Sequence, residues 1–325
     1  MKIKIEELKK ICLEILQKKG LNRKDAESIF EEYLDSELRG IVCHGFQSFA
    51  NFGAKLVEDV KPAKIIKEGR NFLYINGNKN LGQIVCHKYV PQLIKKAKKS
   101  GIAMMGIRNM YSYLRPGTYA RIAAENDLVG FVFNYGGGQR VAPYGSIDPF
   151  FGTNPIAIGM PGEKFPVIVD FATSKTALMK VRMAAKLNQR AAEGIAIDKN
   201  GNPTTDPEKI MEGALLPFGE YKGSGLALVV ELLTKTMFKV EPKHKIKETR
   251  GFLFIFFDPK TFIGVKEFKK AVSKTTDQIK RLRRAKEFEE IQIPGEREQK
   301  LYEKNLKRGY LELNEKILSD IKKLL

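Results

Sequence analysis

The chain has 325 residues, 43% hydrophobic and 29% charged, the composition of a soluble globular protein with one large domain or two to three interlocked ones. No run of 18 apolar residues occurs, which argues against a membrane-spanning helix, and three cysteines (Cys12, Cys43, Cys86) without metal-ligand spacing read as reduced thiols in a cytoplasm. The formal charge of +19 raises nucleic acid as a partner, but no recognised nucleic-acid motif accompanies it, so the densest basic run, Lys269 to Lys286, reads as a solvated helix face.

The first twenty residues alternate apolar and charged positions at helical spacing and predict an amphipathic helix, not a signal peptide. Residues 1–60 as a whole read as helical, with Asn22 an N-cap and Gly40 a stop. RNFLYING predicts a strand that turns at Asn76 and Gly77. A helix stopped by Gly101 follows, then a strand (IAMMGIRN), a helix (GTYARIAAEND) and a strand running into glycines (LVGFVFNYGGG). Val141 to Ser174 is dense in Gly, Pro and Asn and holds two short strands, PIAIGMP and FPVIVDFAT. GSGLALVVELLTKTMF predicts a buried apolar helix, and RGFLFIFFDP a strand covered on both faces. Charged helices broken by IQIPGERE complete the chain. Helix, sheet-rich middle, helix is not the regular alternation of a doubly wound sheet.

The glycines of NYGGGQRVAP follow a strand, as a dinucleotide fingerprint would. No third spaced glycine and no helix follow Gly136, Gly137 and Gly138, so residues and context both fail that motif. Lys222 stands at the start of the apolar helix, where a cation and free N–H groups can seat an anion. His44 lies beside Gly45 just past a helix stop, a reasonable place for an acid/base group. With only His44, His87 and His244 present, a multi-histidine zinc site is not expected.

Taken together, several segments resemble the type-2 malate/L-lactate dehydrogenase family. They are ELRGIVCHG, VAPYGSIDPFFGTNPIAIGMP, VDFATS, GIAIDKNGNPTTDP, GALLPFGEYKGSGLALVVELLT, FFDPKTF and IPGERE, in order along nearly the whole chain. The family includes malate, sulfolactate and ureidoglycolate dehydrogenases and cyclic-imine carboxylate reductases. The resemblance implies an α/β (α+β-like) fold, with a non-Rossmann NAD(P)-binding mixed sheet flanked by helical segments from both chain ends. It implies a helical substrate and dimerisation part from residues 1–115 with 260–325, and an NAD(P)-binding domain at 116–259. It also implies NAD or NADP as cofactor, a small-molecule substrate, and a homodimer. Cofactor contacts carried over by the resemblance fall on Asp170, Phe171, Ala172, Lys222, Pro294, Gly295 and Glu296.

The substrate segments depart from the family pattern. Reduction of a carbonyl creates an alkoxide that needs a proton. The family's histidine for this task, in N-S-x-H-x-G, aligns with Ser112 of RNMYSYLRPG. A family arginine four residues after His44, suited to clamping a carboxylate, is Ser48, and the serine before the histidine is Cys43. His44 therefore becomes the leading proton donor, with Tyr111, Tyr113 or Ser112 adding hydrogen bonds, and Arg115 or Arg140 replacing the lost clamp. The expected activity is hydride transfer to or from a small 2-oxo/2-hydroxy acid or a related imine. The alternative is a dinucleotide-binding member that has lost dehydrogenase activity and serves as a sensor or structural subunit.

Overall fold

In a computed structural model, the structure describes residues 1–51, 54, 57, 60–136, 138–241 and 249–325; His244 and Gly137 lie outside the described residues. The chain begins with β1 (Lys2–Lys4), α1 (Ile5–Lys18), α2 (Arg23–Leu38) and α3 (Phe46–Asn51). It continues through β2 (Lys64–Gly69), β3 (Phe72–Asn76), α4 (Gly82–Ser100), β4 (Ile102–Met110), α5 (Pro116–Glu125) and β5 (Val129–Asn134). The middle supplies β6 (Ile156–Met160), β7 (Val167–Phe171), α6 (Leu178–Lys186), β8 (Ala196–Ile197), α7 (Pro207–Glu212), β9 (Ala214–Leu215), α8 (Tyr221–Glu231) and β10 (Arg250–Phe257). Then come α9 (Val265–Lys280), α10 (Glu296–Arg308), β11 (Tyr310–Glu312) and α11 (Glu315–Lys322).

The expected helix boundaries have visible causes. Asn22 accepts a hydrogen bond from the Asp25 N–H and caps α2. Gly40 and Gly101 end their helices at φ +74° and +82°, a region that costs a side-chain-bearing residue energy. Pro116 occupies the first turn of α5, where its missing N–H is not needed.

The two chain ends build one helical lobe. β1 pairs antiparallel with β11, and the Leu313 N–H donates to the Met1 carbonyl. Leu8, Ile15, Leu16, Phe30, Phe46, Phe49 and Ile321 form its core, so the amphipathic stripe of α1 is buried against segments from the opposite terminus.

The main sheet has seven strands in the order β2-β3-β4-β10-β5-β6-β7. β3 and β4 are parallel, joined by the α4 crossover, and every other neighbouring pair is antiparallel. A mixed sheet of this order is not a doubly wound parallel one, as the failed glycine fingerprint implied. Strands before and after residue 115 share this sheet, so hydrogen-bonded ladders cross the expected 115/116 boundary. On the central β10, Phe252, Phe254 and Phe256 pack on one face with Tyr113 and Tyr119, while Leu253 packs on the other with Phe238.

Two features differ from expectation. The apolar helix α8 is not buried all round: Ala227 and Val230 face inward, but Leu226, Leu228, Val229 and Leu232 are exposed. Only one of its faces meets the rest of the fold. The second is Glu220, which precedes α8 at φ +58° and ψ −118°, in GALLPFGEYKGSG, the segment that resembles the family's GALLPFGGxKGYG. That combination suits glycine, and the family pattern carries glycine there. Replacing Glu220 by glycine is expected to stabilise the protein by about 1–2 kcal/mol, seen as a higher denaturation midpoint. An unchanged or lower midpoint would show that the glutamate side chain has compensating contacts.

Candidate active site

A cleft of about 1400 Å³ lies where the helical lobe meets the open edge of the sheet. It exceeds the roughly 300–1,000 Å³ of common small-ligand pockets and has room for a dinucleotide with a small substrate. One wall is β7 and the segment that follows it, with Asp170, Phe171 and Ala172. Pro294 and Gly295 run alongside, held there because the Ile168 N–H donates to the Pro294 carbonyl. His44 and Ser48 from the α2–α3 region, the loop Tyr111 to Gly117, and Arg140 line the same cleft.

His44 closes a short 3-10 turn, Val42–His44. The turn is anchored by Glu37 in α2, whose carboxylate accepts from the Phe46 N–H at 2.9 Å. Gly45 leaves room for that contact: a Cβ there would stand 1.9 Å from Glu37 Oε2 and would push the carboxylate off the Phe46 N–H. His44 Nδ1 lies 3.2 Å from Cys43 Sγ. Burial, and then the positive charges of Arg115 and Arg250, depress the His44 pKa to about 4. The ring is neutral at physiological pH.

The tyrosine-rich loop has a physical account. Ser112 Oγ accepts from the Leu114 N–H at 3.1 Å, a side-chain turn that holds Leu114 at φ +76°. A leucine in that region is strained, and such strain persists where surrounding packing enforces it. Tyr113 is fully buried and donates to Asn134 Oδ1 at 2.7 Å, so it anchors the loop. Tyr111 and Ser112 line the cleft.

Arg115 lines the cleft, yet its guanidinium is committed. It donates to Asp35 at 2.6 Å and to Ser36 at 3.2 Å. Asp35 also receives Arg39 and Arg121, each at 2.9 Å. Burial alone would raise the Asp35 pKa, but Arg121, Arg115 and Arg39 outweigh it and hold the carboxyl below its ordinary value. Arg115 is thus a poor candidate for a substrate clamp.

Arg140 is different. No side-chain hydrogen bond or ion pair joins it to the described residues, and it faces Arg182 of α6. Burial and then the charge of Arg140 lower the Arg182 pKa, the mark of two like charges sharing a site. α6 also approaches the His44 turn, because Gln47 Nε2 reaches Met183 Sδ at 3.8 Å. Arg182 and Arg250 were missed by the sequence reading. Nothing in their local pattern separates them from the many surface cations of this chain, and only the fold brings them to the cleft.

The expected cofactor residues divide. Asp170 Oδ2 accepts from the Gly117 N–H at 3.0 Å, at the start of α5. A Cβ on Gly117 would fall 2.4 Å from that same oxygen, so glycine permits the approach. Protein crowds Asp170 from the sides while the cleft keeps it solvent-accessible. Burial raises its pKa, opposed by Arg115 and the Gly117 N–H. Gly295, at φ +88°, opens α10 with no side-chain cap; the Glu296 N–H donates to the Ile293 carbonyl, and Arg297, paired with Glu298, lines the cleft. Glu296 instead turns away, bound to Lys280 and Lys300 with an acceptor contact from the Ile293 N–H. Lys222 is exposed and does not line the cleft, although Phe171 does meet Phe218 in the loop before α8. In the glycine segment, Gly136 packs so closely that a Cβ would sit 2.5 Å from the Thr153 and Asn154 nitrogens, and Gly138 takes φ +69°. Those glycines serve packing and turning.

The profile of the malate/L-lactate dehydrogenase family matches residues 3–322. The chain belongs to that family. Its sequence is 35% identical to the malate/(S)-sulfolactate dehydrogenase of Methanothermus fervidus over 336 aligned positions, covering 100% of this chain and 97% of that one. The solved sulfolactate dehydrogenase of Methanocaldococcus jannaschii superposes with a TM-score of 0.88 at 34% identity, covering 100% and 96% of the two chains. The solved Δ1-piperideine-2-carboxylate reductase of Pseudomonas syringae pv. tomato gives 0.87 at 26% identity, covering 100% of both. As a malate/L-lactate dehydrogenase family member the protein is an oxidoreductase, and the family implies a nicotinamide cofactor. The volume of the cleft suits such a dinucleotide.

The pH behaviour of the site has a defined sign. The depressed His44 pKa means that the unfolded chain takes up a proton near pH 6.5 while the folded one does so near pH 4. Stability from this group is complete above pH 6.5 and is lost as pH falls toward 4. His87, held above its ordinary pKa by Glu32 although its own burial pulls it down, contributes in the opposite sense. The His44 part is therefore read as a difference. Between pH 6.5 and 4 the wild-type denaturation midpoint should fall more than that of His44→Gln, and parallel curves would show that His44 does not titrate as described.

Proposed function

We propose that the protein transfers a hydride between NAD or NADP and a small 2-oxo/2-hydroxy acid, with a cyclic imine carboxylate as the related substrate class. The observation that supports this most directly is the convergence of a neutral His44 and the Arg140–Arg182 pair in the cleft that holds Asp170 to Ala172 and Pro294 to Gly295. The bound nicotinamide supplies the hydride. His44 donates a hydrogen bond from its neutral ring to the carbonyl oxygen and stabilises the negative charge that develops there, and the product's proton comes from solvent in the open cleft. Ser112 adds a hydroxyl whose oxygen is already an acceptor, leaving its proton for the cleft.

Two arginines without an acidic partner among the described residues favour a substrate with a second anionic group, since guanidinium forks match carboxylate or sulfonate. The test is oxidation of NADH and NADPH with 2-oxo acids that carry or lack a second anion, and with cyclic imines. We expect dianionic 2-oxo acids to be preferred, and Arg182→Ala to raise their KM about tenfold or more. Equal effects on monoanionic substrates would remove the second-anion role. Cofactor binding without turnover on the whole panel would favour the sensor or structural reading, because Ser112 stands where the family pattern has its histidine.

The reading includes a homodimer in the cytoplasm. The exposed Leu226, Leu228 and Val229 of α8, with Leu232 just after it, form an apolar face suited to a second copy. The three cysteines are free, and no helix among the described residues is long and apolar enough to cross a membrane. A solution mass of twice 36.8 kDa supports the dimer, and the single-chain mass contradicts it.

A further inference from the structure

We propose that Cys43 is a positioning residue, whose thiol donates to His44 Nδ1 and thereby fixes the imidazole as the Nε2–H tautomer that serves the substrate. The inference rests on the donor role given to His44 above. Both residues belong to the turn Val42–His44, and their side chains meet at 3.2 Å on the cleft wall.

A Cys–His contact can run in either direction. The imidazole nitrogen is a strong acceptor and the thiol sulfur a weak one, so S–H to Nδ1 is the better arrangement for a neutral pair. The surroundings keep the pair neutral. Arg115 and Arg250 face His44 and oppose an imidazolium. Burial raises the Cys43 pKa and outweighs its own backbone N–H, Lys180 and Arg115, which act against it, with Asp170 acting in the same sense as burial, so the thiol keeps its proton. A neutral imidazole carries one N–H. With Nδ1 accepting, that hydrogen is on Nε2, which has no hydrogen bond to the described residues and is left for a ligand.

The departure from serine to cysteine at this position therefore keeps a donor beside the ring. The opposite tautomer would present a lone pair to the carbonyl oxygen, where two acceptors repel. Orientation of a histidine through its second nitrogen is a general device, and here a thiol performs it.

The chain has only three histidines, which makes the tautomer measurable directly. Protein labelled with 15N-histidine is examined near pH 7 by long-range 1H–15N correlation, with His44→Gln assigning the His44 ring. The expected spectrum shows a protonated Nε2 and an unprotonated Nδ1 in the wild type and in Cys43→Ser, and a tautomer mixture in Cys43→Ala. The kcat of Cys43→Ala should fall about tenfold, the worth of one neutral hydrogen bond, with KM little changed and with recovery in Cys43→Ser. A wild-type ring protonated on Nδ1, or a Cys43→Ala protein with wild-type tautomer and kcat, overturns the proposal. Because the spectrum needs no turnover, a correct tautomer with a fully active His44→Gln would instead overturn the donor role of His44.

Discussion

Replacing His44 by glutamine should lower kcat for carbonyl reduction by about two to three orders of magnitude, the usual worth of a positioned donor to a developing oxyanion. Glutamine fills a similar volume, but its amide N–H groups do not hold the position and direction of the ring Nε2–H. A loss concentrated in kcat, with the dissociation constant for NADH or NADPH unchanged, would locate the defect in the chemical step. The cleft wall proposed for the cofactor is built by β7 and the Pro294–Gly295 segment, which the substitution does not touch. Direct nicotinamide emission is the suitable readout, since the chain has no tryptophan. The rate of the wild type should stay flat from pH 7 down toward the depressed His44 pKa of about 4, because the neutral ring is the active form. Ser112→Ala makes the companion measurement. If it costs as much as His44→Gln while His44→Gln costs little, the proton comes through the loop that aligns with the family's histidine.

Much of the fold was legible because it follows from local rules. Asn22, Gly40, Gly101 and Pro116 fall where capping chemistry puts them, and β10 is readable as a run of bulky residues. β2 was not legible: its side chains are almost all exposed at the sheet edge, so Lys64 to Gly69 shows no buried alternation. The apolar run of α8 was read as burial, but hydrophobicity on every side of a helix does not say what covers each side. At the site, glycine and histidine positions were legible because space and special conformations demand particular residues. The arginines were not. Arg115 looked like a clamp and is held by Asp35, whereas Arg182 looked ordinary and faces the cleft. The partner of a long, flexible cation is a tertiary fact, and local spacing carries no trace of it.

Asp35 is where that tertiary fact has its largest expected consequence. Asp35→Ala should destabilise the protein by about 3–5 kcal/mol, the cost of leaving buried charge without its counter-ion. Three guanidiniums, Arg39, Arg115 and Arg121, converge on one carboxylate, and each has a side chain no more than 14% exposed. They come from the C-cap of α2, the N-cap of α5 and α5 itself, so the carboxylate ties the helical lobe to the helix that opens beside Asp170. Arg39 extends the tie to α10 through Gln299 and stacks on Tyr302. The alanine variant should therefore also weaken cofactor binding, because both α5 and α10 border the cleft. Asp35→Asn keeps the shape and some hydrogen bonds but not the charge, and should lie between wild type and alanine. The pH dependence follows the same charge. With its pKa held low, Asp35 contributes stability above the ordinary carboxylate value near 3.8, and that contribution disappears as pH falls through the lower folded value. A denaturation midpoint for Asp35→Ala within a degree or two of wild type at pH 7 would mean that the three arginines are satisfied by water and that the lobe is held by its apolar core alone.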